Sequence, residues 1–258
     1  MPKTNARRHG DALKLHRRSA FGEVSSASLG AKLQQNQPQP DIAVAVPLKY
    51  LIQGGAADSP RRGGARNQKS RESLALKPHQ VANLRSAAVH AGNIGLPLNR
   101  MITIHWQSAG VALPVMAWAT GRFTDLLSKA LARHGSQTAW VWTHENGVGK
   151  GAHCHLVVHV PPSLVGVITG LQKGWLRRIT GKPYKKRVIF SRPIGARLGV
   201  ETLNPEVHAL NRDTALSYIL KGVAEADGGG GRIVGKRCAT SQNIGASART
   251  HWRASYGS

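Results

Sequence analysis

Residues 138–160 read TAWVWTHENGVGKGAHCHLVVHV, two apolar runs around a glycine-rich centre. The runs cover residues 138–145 and 152–160, and the six residues between them include three glycines. Runs rich in valine and tryptophan on either side of a turn-forming segment are typical of a β-hairpin. The sequence therefore predicts two antiparallel strands joined by a short basic loop that contains Lys150.

Two histidines and a glutamate of this hairpin form a candidate metal site. His153 and His155 are two residues apart, so on a strand both imidazoles lie on the same face. Glu145 ends the first strand, and the hairpin brings it opposite the histidines. A chain with twelve histidines contains His-x-His pairs by chance, so the metal prediction depends on Glu145. The three residues together suit Mn²⁺ or Mg²⁺.

Two other histidines of the hairpin receive different predictions. His144 is expected to face the helices or the hairpin end and to have a structural role. His159 shares the face of His155 further along the strand, and it is expected to neighbour bound nucleic acid without binding metal.

A tyrosine and a lysine three residues apart form a second group. Tyr218 and Lys221 lie in an apolar stretch with helical periodicity from about residue 209 to 222, so they share one side of the predicted helix. A phenol is a weak nucleophile at its ordinary pKa of about 10, and a neighbouring ammonium favours the phenolate. A helical tyrosine is more often packed than catalytic, and Tyr184, next to a basic run, is the rival nucleophile.

The rest of the chain predicts an α+β fold. Residues 101–106 alternate as a half-buried strand, with Thr103 and His105 on the face opposite the isoleucines. Helices are predicted near residues 78–92, 123–134 and 165–180. Helices among antiparallel strands indicate a sheet with helices on one face, which leaves the other face open for a ligand.

Composition divides the chain into three parts. Residues 1–75 are polar, basic and of low complexity, and we expect a disordered arm. Residues 76–226 form the predicted domain. Residues 227–258 begin with a glycine run and read as a basic, partly ordered tail.

The charge indicates a polyanionic partner. Lys and Arg number 36 against 12 Asp and Glu, a net charge of +24, and nucleic acid is a better match than a membrane because no basic amphipathic helix stands out. Two cysteines exclude a disulfide scaffold and a cysteine-rich zinc site. The basic N-terminus lacks the apolar stretch of a secretory signal, and no segment reads as a membrane span. We therefore expect a cytoplasmic protein.

Taken together, these motifs resemble those of the HUH endonucleases, most closely the single-tyrosine initiators of rolling-circle replication in bacterial plasmids and phages. Residues 101–106 match the family's first strand motif, Glu145 with His153 and His155 its metal motif, and Tyr218 with Lys221 its nucleophile motif. The likeness covers roughly residues 78–225. The tyrosine follows the histidines, whereas conjugative relaxases usually place it before them.

The resemblance implies a ferredoxin-like or RRM-like antiparallel sheet and a metal-dependent nickase. Glu145, His153 and His155 would hold Mn²⁺ or Mg²⁺, Tyr218 would form a 5′-phosphotyrosine with single-stranded origin DNA, and Lys221 would stabilise charge. Because no helicase domain is present, a host helicase and polymerase are the expected partners. Nine residues are expected to contact DNA: Thr103, His105, Lys150, His159, Lys185, Lys186, Arg187, Lys236 and Arg237.

Two alternatives stay open. An HUH-type transposase of single-stranded DNA would carry the same motifs in the same order. A basic nucleic-acid-binding protein without catalytic activity could keep the same sheet.

Overall fold

The computed structural model describes residues 71–195, 197–221 and 230–256. The predicted arm lies almost entirely outside the described residues, as does the start of the predicted tail. Among the described helices, none has the length and apolar character needed to cross a membrane.

A five-stranded antiparallel sheet forms the centre of the fold. Its strands are β2 (Arg100–Ile104), β3 (Trp140–Gly147), β4 (Gly151–Val158), β5 (Ile189–Pro193) and β7 (Cys238–Thr240). They lie in the order β5-β2-β4-β3-β7. The predicted hairpin is the β3–β4 pair, and its register places Glu145 opposite His153 and Thr143 opposite His155. The α+β class is confirmed.

Two helices cover one face of the sheet. They are α2 (Met116–Arg133) and α3 (Val165–Thr180), and they pack on the apolar side chains that alternate along the central strands, such as Ile102, Cys154 and Leu156. Phe123 of α2 and Trp175 of α3 meet edge to face, with ring centroids 5.4 Å apart. Burial of these side chains is the main stabilisation of this layer.

The second face, which the sequence leaves open for a ligand, is covered in part. Helices α1 (Pro78–Asn93) and α5 (Pro205–Ile219) pack on this side. They bury Met101, Val141 and Val157 of the sheet in a second core. The physical reason is the pleat, because these apolar residues alternate with the first core's residues and also need removal from water.

Residues 230–256, in the predicted basic tail, contribute to the fold. Strand β7 pairs with β3 and extends the sheet, and helix α6 (Ala246–Tyr256) follows it. A short strand β6 (Ile233–Val234) pairs with β1 (Glu72–Ser73) in a separate two-stranded sheet. Another short helix, α4 (Val200–Leu203), precedes α5.

Candidate metal centre

The β3–β4 hairpin brings Glu145, His153 and His155 together on one face of the sheet. The Nε2 atom of His153 lies 3.5 Å from Oε2 of Glu145, and Nε2 of His155 lies 3.8 Å from Oε1. One ligand atom from each residue can be chosen so that all three lie within 4.8 Å of one another. The convergence expected from the sequence is therefore present, and it arises from strand alternation together with the pairing of Glu145 and His153.

The burial of these groups indicates that a ligand belongs between them. All three side chains are almost completely buried. Within the described part of the chain, neither Oε1 of Glu145 nor Nε2 of His155 has a hydrogen-bond partner. Leaving such buried groups unpaired costs about 1–3 kcal/mol each. A divalent cation would satisfy both, so the residues present fit a metal ion.

The charge states suit metal binding. Burial acts to raise the pKa of Glu145, but the contact with His153 and the ammonium of Lys221 hold it below its ordinary value, so the group is a carboxylate at neutral pH. Burial lowers the pKa of His155 to about 3, although Glu145 opposes the shift. A neutral imidazole keeps the lone pair that a metal ligand needs.

Each histidine is oriented through its other ring nitrogen. Nδ1 of His153 lies 2.7 Å from the carbonyl oxygen of Gly151, which can only accept, so Nδ1 carries a proton and Nε2 is the nitrogen that faces Glu145. Nδ1 of His155 lies 3.0 Å from the hydroxyl of Thr103 on β2. Such partners fix the tautomer and direction of a ligating imidazole. Thr103, which is also expected to contact DNA, thus contacts a candidate metal ligand.

Helix α5 places Tyr218 beside the triad, and Lys221 follows just after the helix, which ends at Ile219 and not near residue 222 as predicted. Leu216 and Ile219 are buried against the sheet, and the Thr143 hydroxyl donates a 3.0 Å hydrogen bond to the carbonyl oxygen of Ile219. Tyr218, on the exposed side of the same turn, keeps 38% of its surface exposed. Its ring meets His155 edge to face with centroids 5.1 Å apart.

Lys221 contacts both the tyrosine and the glutamate. Its Nζ lies 4.2 Å from the centroid of the Tyr218 ring and 3.5 Å from Oε2 of Glu145. The ammonium therefore links the candidate nucleophile to the candidate metal site. The rival Tyr184 packs instead against the core beneath α2 and α3, on the other face of the sheet.

Two residues expected to contact DNA are buried. His159 is 9% exposed, and its Nδ1 lies 2.8 Å from the carbonyl oxygen of Pro97. Arg237 is 3% exposed, and its guanidinium binds Ser73 and the carbonyl oxygen of Gly231. Both side chains hold the fold together, because a buried polar group needs its partners inside the protein, and neither offers a surface to DNA.

The other predicted contacts are accessible. Lys150, Lys185, Lys186, Arg187 and Lys236 are exposed. His105 is partly exposed and stacks on His153, with ring centroids 5.4 Å apart. His144 lies, as expected, on the face covered by α2 and α3. There its ring nitrogens contact the Thr120 hydroxyl at 2.8 Å and the Lys236 carbonyl oxygen at 2.9 Å.

Phe190 is a candidate residue that the sequence analysis missed. It lies on β5 opposite Thr103, it is 48% exposed, and it meets His105 edge to face at 5.8 Å. An exposed aromatic ring beside a candidate metal site suits stacking of a nucleotide base. The sequence does show an aromatic residue within a basic strand. Which face of the sheet its ring occupies could not be assigned without the pairing of β2 with β5.

Comparisons with known proteins add little. No known protein family matches the chain, and no curated protein matches it. One solved structure that resembles it is the N-terminal nuclease domain of non-structural protein 1 of minute virus of mice, which coordinates Zn²⁺ in its active-site pocket and recognises DNA at the origin of replication. The identity is 9%, the TM-score 0.26, and the match covers 54% of this chain and 70% of that one. A likeness at this score indicates nothing further about the activity of this chain.

Proposed function

We propose that this protein is a metal-dependent nickase and strand-rejoining enzyme that acts on single-stranded DNA through Tyr218. The observation that carries the proposal is the position of the Tyr218 ring, 5.1 Å from His155 in the buried Glu145–His153–His155 triad. A nucleophile beside a group of metal ligands is what an in-line attack on a bound phosphodiester requires. The HUH-like order of these motifs agrees with this chemistry.

Glu145, His153 and His155 would hold the cation, Mn²⁺ or Mg²⁺. When bound, it would polarise the scissile phosphate and neutralise part of its charge. Thr103 and the Gly151 carbonyl keep both imidazoles aimed at the site. His105 and Phe190 would support a base of the strand close to the scissile position.

Tyr218 would attack the phosphorus through its phenolic oxygen. A tyrosine–phosphate bond forms, the bond from phosphorus to the 3′ oxygen breaks, and the phenol loses a proton while the departing 3′ oxygen gains one. The reaction is a transesterification, so a 3′-hydroxyl is released and the reverse step rejoins the strand. Lys221, 4.2 Å from the ring centroid, would stabilise the negative charge that develops during the transfer.

In the cell, this activity would start rolling-circle replication of a plasmid or phage in the cytoplasm, with a host helicase and polymerase extending the 3′ end. Transposition of single-stranded DNA uses the same bond exchange and differs in the DNA that is cut. No observation of the structure favours a binding protein without catalysis.

The test is a cleavage assay with the purified full chain. Single-stranded oligonucleotides that tile the DNA on either side of its gene are incubated with Mn²⁺, Mg²⁺ or EDTA. From one of them, and only with metal, we expect an upstream fragment that ends in a free 3′-hydroxyl and a downstream fragment that is linked to the protein through its 5′ phosphate. Cleavage at replicon origins indicates an initiator, and cleavage at insertion-sequence ends indicates a transposase. Absence of any adduct across both sets, with DNA binding intact, would overturn the proposal.

A further inference from the structure

A groove between helices α1 and α6 has the features of an anion site. It encloses about 280 Å³, and it is lined by one stripe of each helix. Arg85, Val89 and His90 come from two neighbouring turns of α1, and Arg249, Trp252 and Arg253 from two neighbouring turns of α6. None of the described residues that line it is acidic.

The positive charge of the groove is not neutralised within the described part of the chain. Arg249 donates to two neutral acceptors, the Asn83 side-chain oxygen and the Ile244 carbonyl oxygen, both at 2.7 Å. Arg85 and Arg253 are exposed. Burial and the nearby Arg253 both lower the pKa of Arg249, so the guanidiniums are close enough to repel each other. An anion between them would relieve that repulsion.

Helix α1, which forms one wall of the groove, packs on the face of the sheet that carries the metal site. Helix α1 packs on Val141, which lies four residues before Glu145 on β3. At roughly 3.3 Å per residue, Val141 and Glu145 lie about 13 Å apart along the strand. A single DNA strand is therefore long enough to reach from the metal site to helix α1.

We propose that this groove binds the phosphodiester backbone of DNA, with Arg85 and Arg253 on phosphates and Trp252 as its apolar wall. Guanidinium groups match phosphate oxygens in charge and geometry. The net charge of +24 favours a polyanion over an isolated anion. Residues 1–70 of the same chain are themselves basic, so electrostatic repulsion disfavours this segment as the occupant of the groove. The site adds a second DNA contact to the proposed function and does not depend on cleavage.

The test compares two charge-matched double variants of the full chain. Arg85→Gln/Arg253→Gln removes two groove charges, while the exposed pair Arg177→Gln/Arg178→Gln removes two charges from α3, on the other face of the sheet. Affinity for a single-stranded oligonucleotide is measured in EDTA over a range of salt concentrations. We expect the groove variant to reduce the slope of log K against log salt by about 1.4, since each phosphate contact contributes about 0.7. The control variant should reduce the slope by less than half of that amount.

A charge-conserving variant and two competing anions complete the experiment. Arg85→Lys/Arg253→Lys keeps the charges and should keep most of the slope, and thermal unfolding verifies that each variant is folded. Equal losses in the groove and control variants would overturn the proposal. So would tight binding of inorganic phosphate or an acidic peptide to the groove while the groove variant retains full oligonucleotide affinity. Because EDTA prevents cleavage, failure of the nickase proposal would leave these binding results interpretable.

Discussion

The ring of Tyr218 rests edge-on against the imidazole of His155, with centroids 5.1 Å apart. The Thr143 hydroxyl on β3 holds helix α5 in this position, because it donates a hydrogen bond to the carbonyl oxygen of Ile219, the last residue of the helix. Thr143 is also the residue opposite His155 in the hairpin. The strand pairing that orients the histidine therefore also positions the tyrosine.

The first prediction concerns the nucleophile. Tyr218→Phe should eliminate the covalent DNA adduct, because only the attacking oxygen is lost. Binding to single-stranded DNA should stay nearly unchanged, as should stability, since Tyr218 is partly exposed. Denaturing gels of protein with labelled DNA measure the adduct. Tyr184→Phe is the matched control and should retain it; an adduct that disappears only in the control would assign the chemistry to Tyr184.

The second prediction separates two roles of Thr103. Thr103→Val removes the hydroxyl 3.0 Å from His155, and we expect metal affinity to fall about 10- to 100-fold, as for other residues that orient a ligating histidine. Thr103→Ser should restore it. Calorimetric titration with Mn²⁺ measures the effect. Unchanged metal affinity together with weaker DNA binding would show that Thr103 contacts DNA, as the sequence suggested.

The third prediction tests Glu145 through stability. A metal that binds only the folded state at 100 times its dissociation constant adds about 2.7 kcal/mol to the free energy of unfolding. Glu145→Ala should abolish most of this gain while leaving salt-dependent DNA binding intact. Thermal unfolding with and without Mn²⁺ measures it. Lys221→Ala is the comparison and should slow cleavage while the metal-dependent shift stays. A full shift in Glu145→Ala would remove Glu145 from the ligand set.

The fourth prediction concerns pH and His159. Burial lowers the pKa of His159 below its ordinary value, against the opposing hydrogen bond to Pro97. The unfolded chain therefore binds a proton first as pH falls, so His159 costs stability below about pH 6.5, by at most about 1.4 kcal/mol per pH unit. His159→Gln should flatten the decline between pH 7 and 5. Nuclear magnetic resonance titration of the ring is the direct check, and a normal pKa in the free protein would place His159 at the surface.

The fifth prediction compares two deletions. Removing residues 1–70 should weaken DNA binding and reduce its salt dependence without loss of nicking, because the segment is basic and supplies none of the site residues. Removing residues 1–75 should also lower the unfolding temperature, since Arg237 would lose its Ser73 partners. Scanning calorimetry of both truncations measures the difference. Equal unfolding temperatures would show that the β1–β6 pair contributes nothing to stability.

The hairpin and its metal triad could be predicted because local rules control them. Alternation places His153 and His155 on one face whatever the rest of the fold does, and a short loop returns the chain beside Glu145. Thr103 and Phe190 could not be assigned, because their positions depend on the pairing of β2 with β4 and β5, which are distant in sequence.

The helices on the second face of the sheet and the C-terminal strand were harder to predict from the sequence, for a similar reason. Val141 and Val157 needed a partner, but nothing local identified α1 as that partner. Strand β7 is three residues long and follows a glycine run, so its composition resembles a linker. Its β-structure comes from pairing with β3 and not from its own propensity.

The position of β7 beside β3 has a consequence for incomplete chains. A chain that stops between Ile219 and Cys238 would contain the triad and the tyrosine, yet β3 would be an unpaired edge with free backbone amides and carbonyls. Such an edge recruits other strands and promotes aggregation. A truncated product would therefore tend to self-associate before it could act on DNA, so β7 shields the strand that carries Glu145 from aggregation.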